Sequence, residues 1–241
     1  MESLTVQTRK HLPISTNLEK VLLSCGILSS ILYVFANIIC AIQYEGYNSI
    51  SQTVSELSAI DAPTRALWVS MMIPFSLLVI AFASGLIYAG ASNKPLRIAG
   101  TLFLIDALIG FFWPPMHRRE VLAAGGGTWT DTLHIAFTFI HIPLVMAAIG
   151  FGAAAFGKYF RLYSIITLLT LVVAGVFTGL QSPNVQKNLS TPSIGVWERI
   201  IIGVYMLWIV VLAILLLRNH QAAVPKKYLF ESPIQSFAGN D

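Results

Sequence analysis

The sequence predicts an all-α, polytopic membrane protein: a bundle of six transmembrane helices, with a short amphipathic outer helix between the first two. Three observations carry this. Of 241 residues, 56% are hydrophobic and only 11% charged, whereas soluble domains hold about a quarter charged residues. Six apolar runs approach the roughly 20 residues that cross a bilayer. The basic residues gather in the short connections between those runs, where they orient helices rather than build a patch for nucleic acid.

Residues 1–19 are polar and read as a cytoplasmic N-terminus, with Ser15, Thr16 or Asn17 available to cap the first helix. Residues 20–42 are too long for a signal-peptide core and lack a small-residue cleavage site, so they read as a retained first span. Further spans are expected at residues 66–91, 96–116, 131–156, 162–181 and 197–217. The transmembrane domain is then 20–218, and residues 219–241 form a weakly ordered cytoplasmic tail. Cys25 and Cys40 both fall in the first run, about 22 Å apart along a helix. That is beyond disulfide reach, and they read as small apolar fillers.

Charge sets the sidedness. With the N-terminus inside, the inner segments hold Arg9, Lys10, Lys20, Lys94, Arg97, Lys158, Arg161, Arg218, Lys226 and Lys227. The outer ones hold only Arg65, Arg118, Arg119, Lys187 and Arg199. The positive-inside rule therefore places both termini in the cytoplasm, in a cytoplasmic membrane. Trp68, Trp113, Trp129 and Trp197 fall at outer span ends, as an interfacial belt does, and only Trp208 lies deep.

The inner connections 92–95 and 157–160 are short, which makes the spans they join antiparallel neighbours. In the first outer connection Ser49 and Gln52 have capping-box spacing, and Ile50, Val54 and Leu57 follow at helical intervals, the source of the expected amphipathic helix, which lies on the outer leaflet or caps the bundle. The second carries Gly125-Gly126-Gly127 and reads as a mobile turn. Gly175 and Gly179 form a GxxxG in the fifth span; packing within the chain and a homodimer both use such a face.

The stretch from Asp131 to Pro143 places titratable groups in an apolar span. Asp131, His134, Thr138 and His141 are three, four and three residues apart, one stripe along a helix face. Ionisable groups at membrane depth face an interior or a cavity and mark candidate sites. Asp106 on the third span and His141 on the fourth each lie about 15 Å below the outer boundary. A buried pair is expected, since hydrogen bonding offsets desolvation. Pro143 frees the Phe139 carbonyl nearby. His117, His134 and Asp131 lie higher, and Glu56, Arg118, Glu198 and Arg199 are candidates to line one outward vestibule with them.

Four chemistries fit these residues. Histidines and aspartates suit zinc and an activated water, although HExxH is absent and His134 and His141 are about 10 Å apart along their helix. Asp and His chains also relay protons in transporters. Arg118, Arg119 and Arg199 could take a lipid phosphate. Finally, the pairs could satisfy one another and fix helix register. No P-loop, dinucleotide fingerprint, CxxC, GxSxG elbow or haem-attachment motif occurs.

YNSISQTVSELSAIDAPTR after the first span, FFWPPMH ending the third, the histidine of DTLH and the closing GVWERIIIGVYMLWIVVLAILLLR together resemble a bacterial membrane-protein family catalogued as domain of unknown function 998. The resemblance covers about residues 20–218 and implies a six-helix integral membrane protein. It implies no reaction; Glu56, His117, His134, Glu198 and Arg199 fit its pattern, while Asp106 and His141 rest on the depth argument. The expectation is an outward-facing site, His117, Asp131, His134, Asp106 and His141 with Glu56, Arg118, Glu198 and Arg199, that binds or modifies a lipid or small amphiphile in the manner of a membrane-embedded hydrolase. The alternatives are a proton-coupled transporter of small solutes and a non-catalytic binding or structural protein.

Overall fold

The computed structural model describes residues 16–223; the expectations for Ser15 and for the tail from residue 224 on lie outside the described residues, while residues 219–223 continue the last helix. The chain forms α1 Thr16–Gln43, α2 Arg65–Ala89, α3 Lys94–Phe111, α4 Arg119–Ala123, α5 Trp129–Ala154, α6 Lys158–Gln186 and α7 Ile194–Ala223, with one 3-10 helix at Val54–Ser58. Among the described residues no strand forms, and the one β-type pairing is an isolated bridge between Ile60 and His117.

Five helices, α1, α2, α5, α6 and α7, are long and apolar enough to cross a membrane. The expected six differs at α3, which has 18 residues and includes Lys94, Arg97 and Asp106; it reaches about 27 Å. Helix was expected on to residue 116, but Pro114-Pro115 disfavours the α conformation just before it, and α3 stops at Phe111.

The long helices alternate in direction. Neighbours pack in the order α1, α2, α3, α5, α6, α7, and α7 returns against α1 to close the ring. We call the side with the start of α1 and the end of α7 the terminal side, and the opposite side the loop side. On the terminal side Asn93 accepts from Leu96 N (3.2 Å) and donates from Nδ2 to the Ala155 carbonyl (3.2 Å), tying the two short turns together.

The ring's interior is filled by Leu23, Phe82, Phe103, Trp208, Ile209 and Leu212, each at most 1% exposed. Phe103 stacks on Trp208 at 6.0 Å and on Tyr205 at 6.2 Å. Trp208 Nε1 donates to Ser164 Oγ (2.9 Å), so its polar atom is satisfied across α6 and α7. Between lipid-bathed helices the apolar transfer term largely cancels, and close dispersion packing with such hydrogen bonds holds them together. Gly152 permits the approach, because a Cβ there would run into the Trp208 ring.

The first loop differs from expectation. The Val54–Ser58 helix is capped by Thr53 and Glu56, whose carboxylate accepts from Thr53 N (2.8 Å) and Thr53 Oγ1 (3.0 Å). Ser49 and Gln52 do not form the box; Gln52 Oε1 accepts instead from Asn48 N (2.7 Å). Val54 and Leu57 turn inward onto Ala36, Cys40 and Trp68, while Ile50 is exposed. The segment therefore plugs the loop side of α1 and α2, the bundle-capping placement of the two that were expected. Trp68 is drawn into that plug; of the four belt tryptophans only Trp129 is widely exposed. Cys25 and Cys40 are free and buried.

Candidate functional site

α3 and α5 meet along a seam that carries three tiers of polar contacts. At mid-depth His141 Nδ1 lies 2.7 Å from Asp106 Oδ1. Above it the His134 Nδ1 lies 2.7 Å from the Pro114 carbonyl and 3.1 Å from Trp113 Nε1. A single ring nitrogen cannot donate and accept at once; the shorter contact assigns the Nδ1 proton to the Pro114 carbonyl and leaves Nε2 as the acceptor. At the loop-side end Asp131 accepts from His117 N (2.6 Å), His117 Nδ1 (2.8 Å) and Thr128 N (2.8 Å). Asp131 thereby closes the 117–131 loop at the start of α5.

Trp113 binds the tiers together, with its ring edge to face with His134 at 5.6 Å and with His141 at 5.7 Å. Tyr205 of α7 meets the His141 ring at 6.4 Å. Its hydroxyl, like Asp106 Oδ2, makes no hydrogen bond among the described residues; both residues are 9% exposed, and neither atom is fully enclosed, the buried side-chain atoms without a partner being Asn37 Nδ2 and Tyr163 Oη.

A second group of the expected residues works on the first loop. Arg119 Nε and Nη2 each lie 2.7 Å from a Glu56 oxygen, and Nη1 reaches Thr191 Oγ1 at 3.2 Å. Thr191 in turn donates to the Ser51 carbonyl (2.6 Å). The Glu56 hydrogen bonds hold the Arg119 guanidinium above its ordinary pKa. Glu198 accepts from Val54 N. Arg199 donates to the Ser49 carbonyl (2.9 Å) and to Tyr47 Oη (2.8 Å), while Tyr47 donates to the Thr53 carbonyl (2.7 Å). Burial pushes the Tyr47 phenol up to about 12 against the opposing pull of Arg199.

The nine candidates therefore divide. His117, Asp131, His134, Asp106 and His141 share the α3–α5 seam. Glu56, Glu198 and Arg199 staple the first loop. Arg118 belongs to neither, pairing with Glu120 at 3.5 Å with its side chain 41% exposed. The sequence reading missed Tyr205 and Trp113 as members, and it named Arg119 only for a lipid phosphate, not as the partner of Glu56. Tyr205 follows Glu198 by seven residues, which puts it on the same helix face. No sequence signal separates Arg119 from Arg118, because which of two adjacent arginines turns inward depends on the loop path.

The polar stripe of α5 lies on its inward face. Lower on that face Val145, Ala148 and Gly152 are buried, but above Val145 no residue of α5 is. On α6 likewise nothing between Ala174 and Val185 is buried. The loop-side halves of these two helices are thus thinly covered, and the His141 side chain is 35% exposed. Short α4 packs on α6 above this region, with Val185 buried. A Cβ on Gly175 or Gly179 would meet nothing, so the GxxxG face is not used in packing within the chain.

The residues do not suit a metal. Each histidine is engaged with a separate partner, and no group of three or more His, Cys, Asp or Glu among the described residues could hold an ion. The zinc expectation fails because the tiers are spread along the seam instead of converging.

A ring of apolar helices, five of them long and apolar enough to cross a membrane, defines a multi-pass membrane protein. The chain belongs to the family described as Protein of unknown function (DUF998), whose profile matches residues 27–215. No curated protein and no solved structure matches it.

Proposed function

We propose that the protein is a six-span bundle of a cytoplasmic membrane, with α3 as the remaining crossing helix, both termini cytoplasmic and the loop side outside. We further infer that the α3–α5 seam binds, and acts on, a lipid or small amphiphile reached from the loop-side half. The observation that carries this reading is the Asp106–His141 hydrogen bond, 2.7 Å long with the histidine side chain 35% exposed. Paired ionisable groups inside a membrane protein usually serve a ligand or a proton.

In this reading Asp106 orients His141 by accepting its Nδ1 proton, which leaves Nε2 as a base toward a ligand hydroxyl or a water. His134 offers a second acceptor higher on the stripe, and Arg118, on the roof, reaches a head group. Glu56, Glu198 and Arg199 shape the site by holding the first loop. Proton-coupled transport is the second reading, which the Asp and His pairs favour. The aromatic layer of Phe82, Phe103 and Trp208 closes the path towards the terminal side and favours a dead-ended site over a conduit.

The test is photocross-linking of a diazirine-bearing phospholipid to the full chain in nanodiscs, with labelled peptides mapped by mass spectrometry. Label on residues 134–141 that His141→Ala abolishes is the expected result. Label confined to the outward faces around Phe139 and Val176 would reduce the lipid to bulk solvent and remove the site.

A further inference from the structure

The seam site has a carboxylate that nothing among the described residues fully answers. Asp106 is 9% exposed at mid-depth, and its single hydrogen bond is accepted at Oδ1 from His141 Nδ1. Among the described residues no arginine or lysine reaches it: Arg119 is taken by Glu56, Arg199 by loop carbonyls, and Arg118 by Glu120. The Asp131 carboxylate is satisfied separately by His117 and Thr128. A buried carboxylate needs a counter-charge or several donors to offset its lost hydration, and Oδ2 has neither among the described residues.

The groups around it are aromatic. Trp113 and Tyr205 both pack edge to face with the His141 ring, at 5.7 and 6.4 Å. Phe103 stacks behind Tyr205. A carboxylate with one open oxygen, set among aromatic rings in a low-dielectric region, favours a cation over an anion or a neutral molecule. Being at membrane depth and next to the thinly covered half of α5, the cation must have an apolar body.

We propose that this site takes the ammonium group of a lipophilic amine, with an N–H donated to Asp106 Oδ2, the Tyr205 hydroxyl as second acceptor, and the hydrocarbon body lying towards α6. The assignment names the ligand class of the site and rests on reading the Asp106–His141 seam as a ligand site. It places no demand on a metal or a reaction.

The experiment is equilibrium binding of radiolabelled dodecylamine at pH 7 to the full chain in phosphatidylcholine nanodiscs, with empty nanodiscs subtracted and dodecanol run alongside. Saturable amine binding, at least tenfold tighter than dodecanol and weakened at least tenfold by Asp106→Asn, is the expected result. Should that variant fail to fold, the comparison of amine and alcohol on the unaltered chain decides alone. Equal binding of dodecanol and dodecylamine overturns the ammonium assignment and leaves the amphiphile site standing. Binding of neither, together with no lipid label on residues 134–141, overturns both.

Discussion

Arg119 and Glu56 meet side on, each of two guanidinium nitrogens 2.7 Å from a different carboxylate oxygen, across 63 residues of chain. Their side chains are 11% and 4% exposed. Breaking a buried pair leaves a charge without compensation, at a cost of about 3 kcal/mol or more. Arg119→Ala and Glu56→Gln are each expected to lower unfolding stability in detergent by that order. The double variant is expected to lose clearly less than the sum, since the second change removes the stranded partner. Additive losses would show that the pair does not couple the loops.

Gly195 sits where the first loop crosses the start of α7, donating to the Ile50 carbonyl (2.9 Å). A Cβ there would run into the carbonyl oxygens of Ser49 and Gln52. Gly195→Ala is expected to destabilise the protein by about 1–3 kcal/mol, as overpacking against backbone does. Thermal unfolding should show it with the Arg199 contacts displaced.

Gly175 and Gly179 behave oppositely, since added methyl groups meet open space. Gly175→Ala is expected to leave monomer stability within about 0.5 kcal/mol of the unaltered chain. If this face joins two copies, Gly175→Leu shifts the protein towards monomer in cross-linking or single-molecule counting; an unchanged oligomer distribution removes the homodimer.

Asp131 accepts three hydrogen bonds, two from His117 and one from Thr128. Asp131→Ala is expected to cost about 2–3 kcal/mol, given that charge-assisted bonds are each worth about 1.5–3. It should also open the 117–128 segment to limited proteolysis. Unaltered cleavage would mean that the loop is held by other contacts, such as Ile60 N to the Met116 carbonyl (2.7 Å).

Much of this architecture was legible in the chain, and the parts that were not share a physical cause. Span length located the five helices long and apolar enough to cross a membrane, because apolar runs of bilayer length have few other solutions, and it found α3 as a helix but overran its end. The Asp106–His141 pair was reachable by depth alone, since residue rise fixes height on adjacent helices. What failed was everything set by loop path. The capping box moved from Ser49 and Gln52 to Thr53 and Glu56, the inward arginine was Arg119, and Trp68 turned from the interface into the plug. Local pattern does not fix such choices; they depend on which partner a distant segment brings. The zinc expectation failed likewise, because residue type implies ligands only where geometry converges.

A site on the loop side requires the inward face of α5 to be open at His141 and packed at Ala148, which is 1% exposed. In a background with Cys25 and Cys40 replaced by alanine, cysteine is placed at either position and intact cells are treated with a charged, membrane-impermeant thiol reagent. The expected result is modification of His141→Cys and protection of Ala148→Cys. Equal protection at both positions, or modification of Ala148→Cys alone, would contradict a site that opens on the loop side.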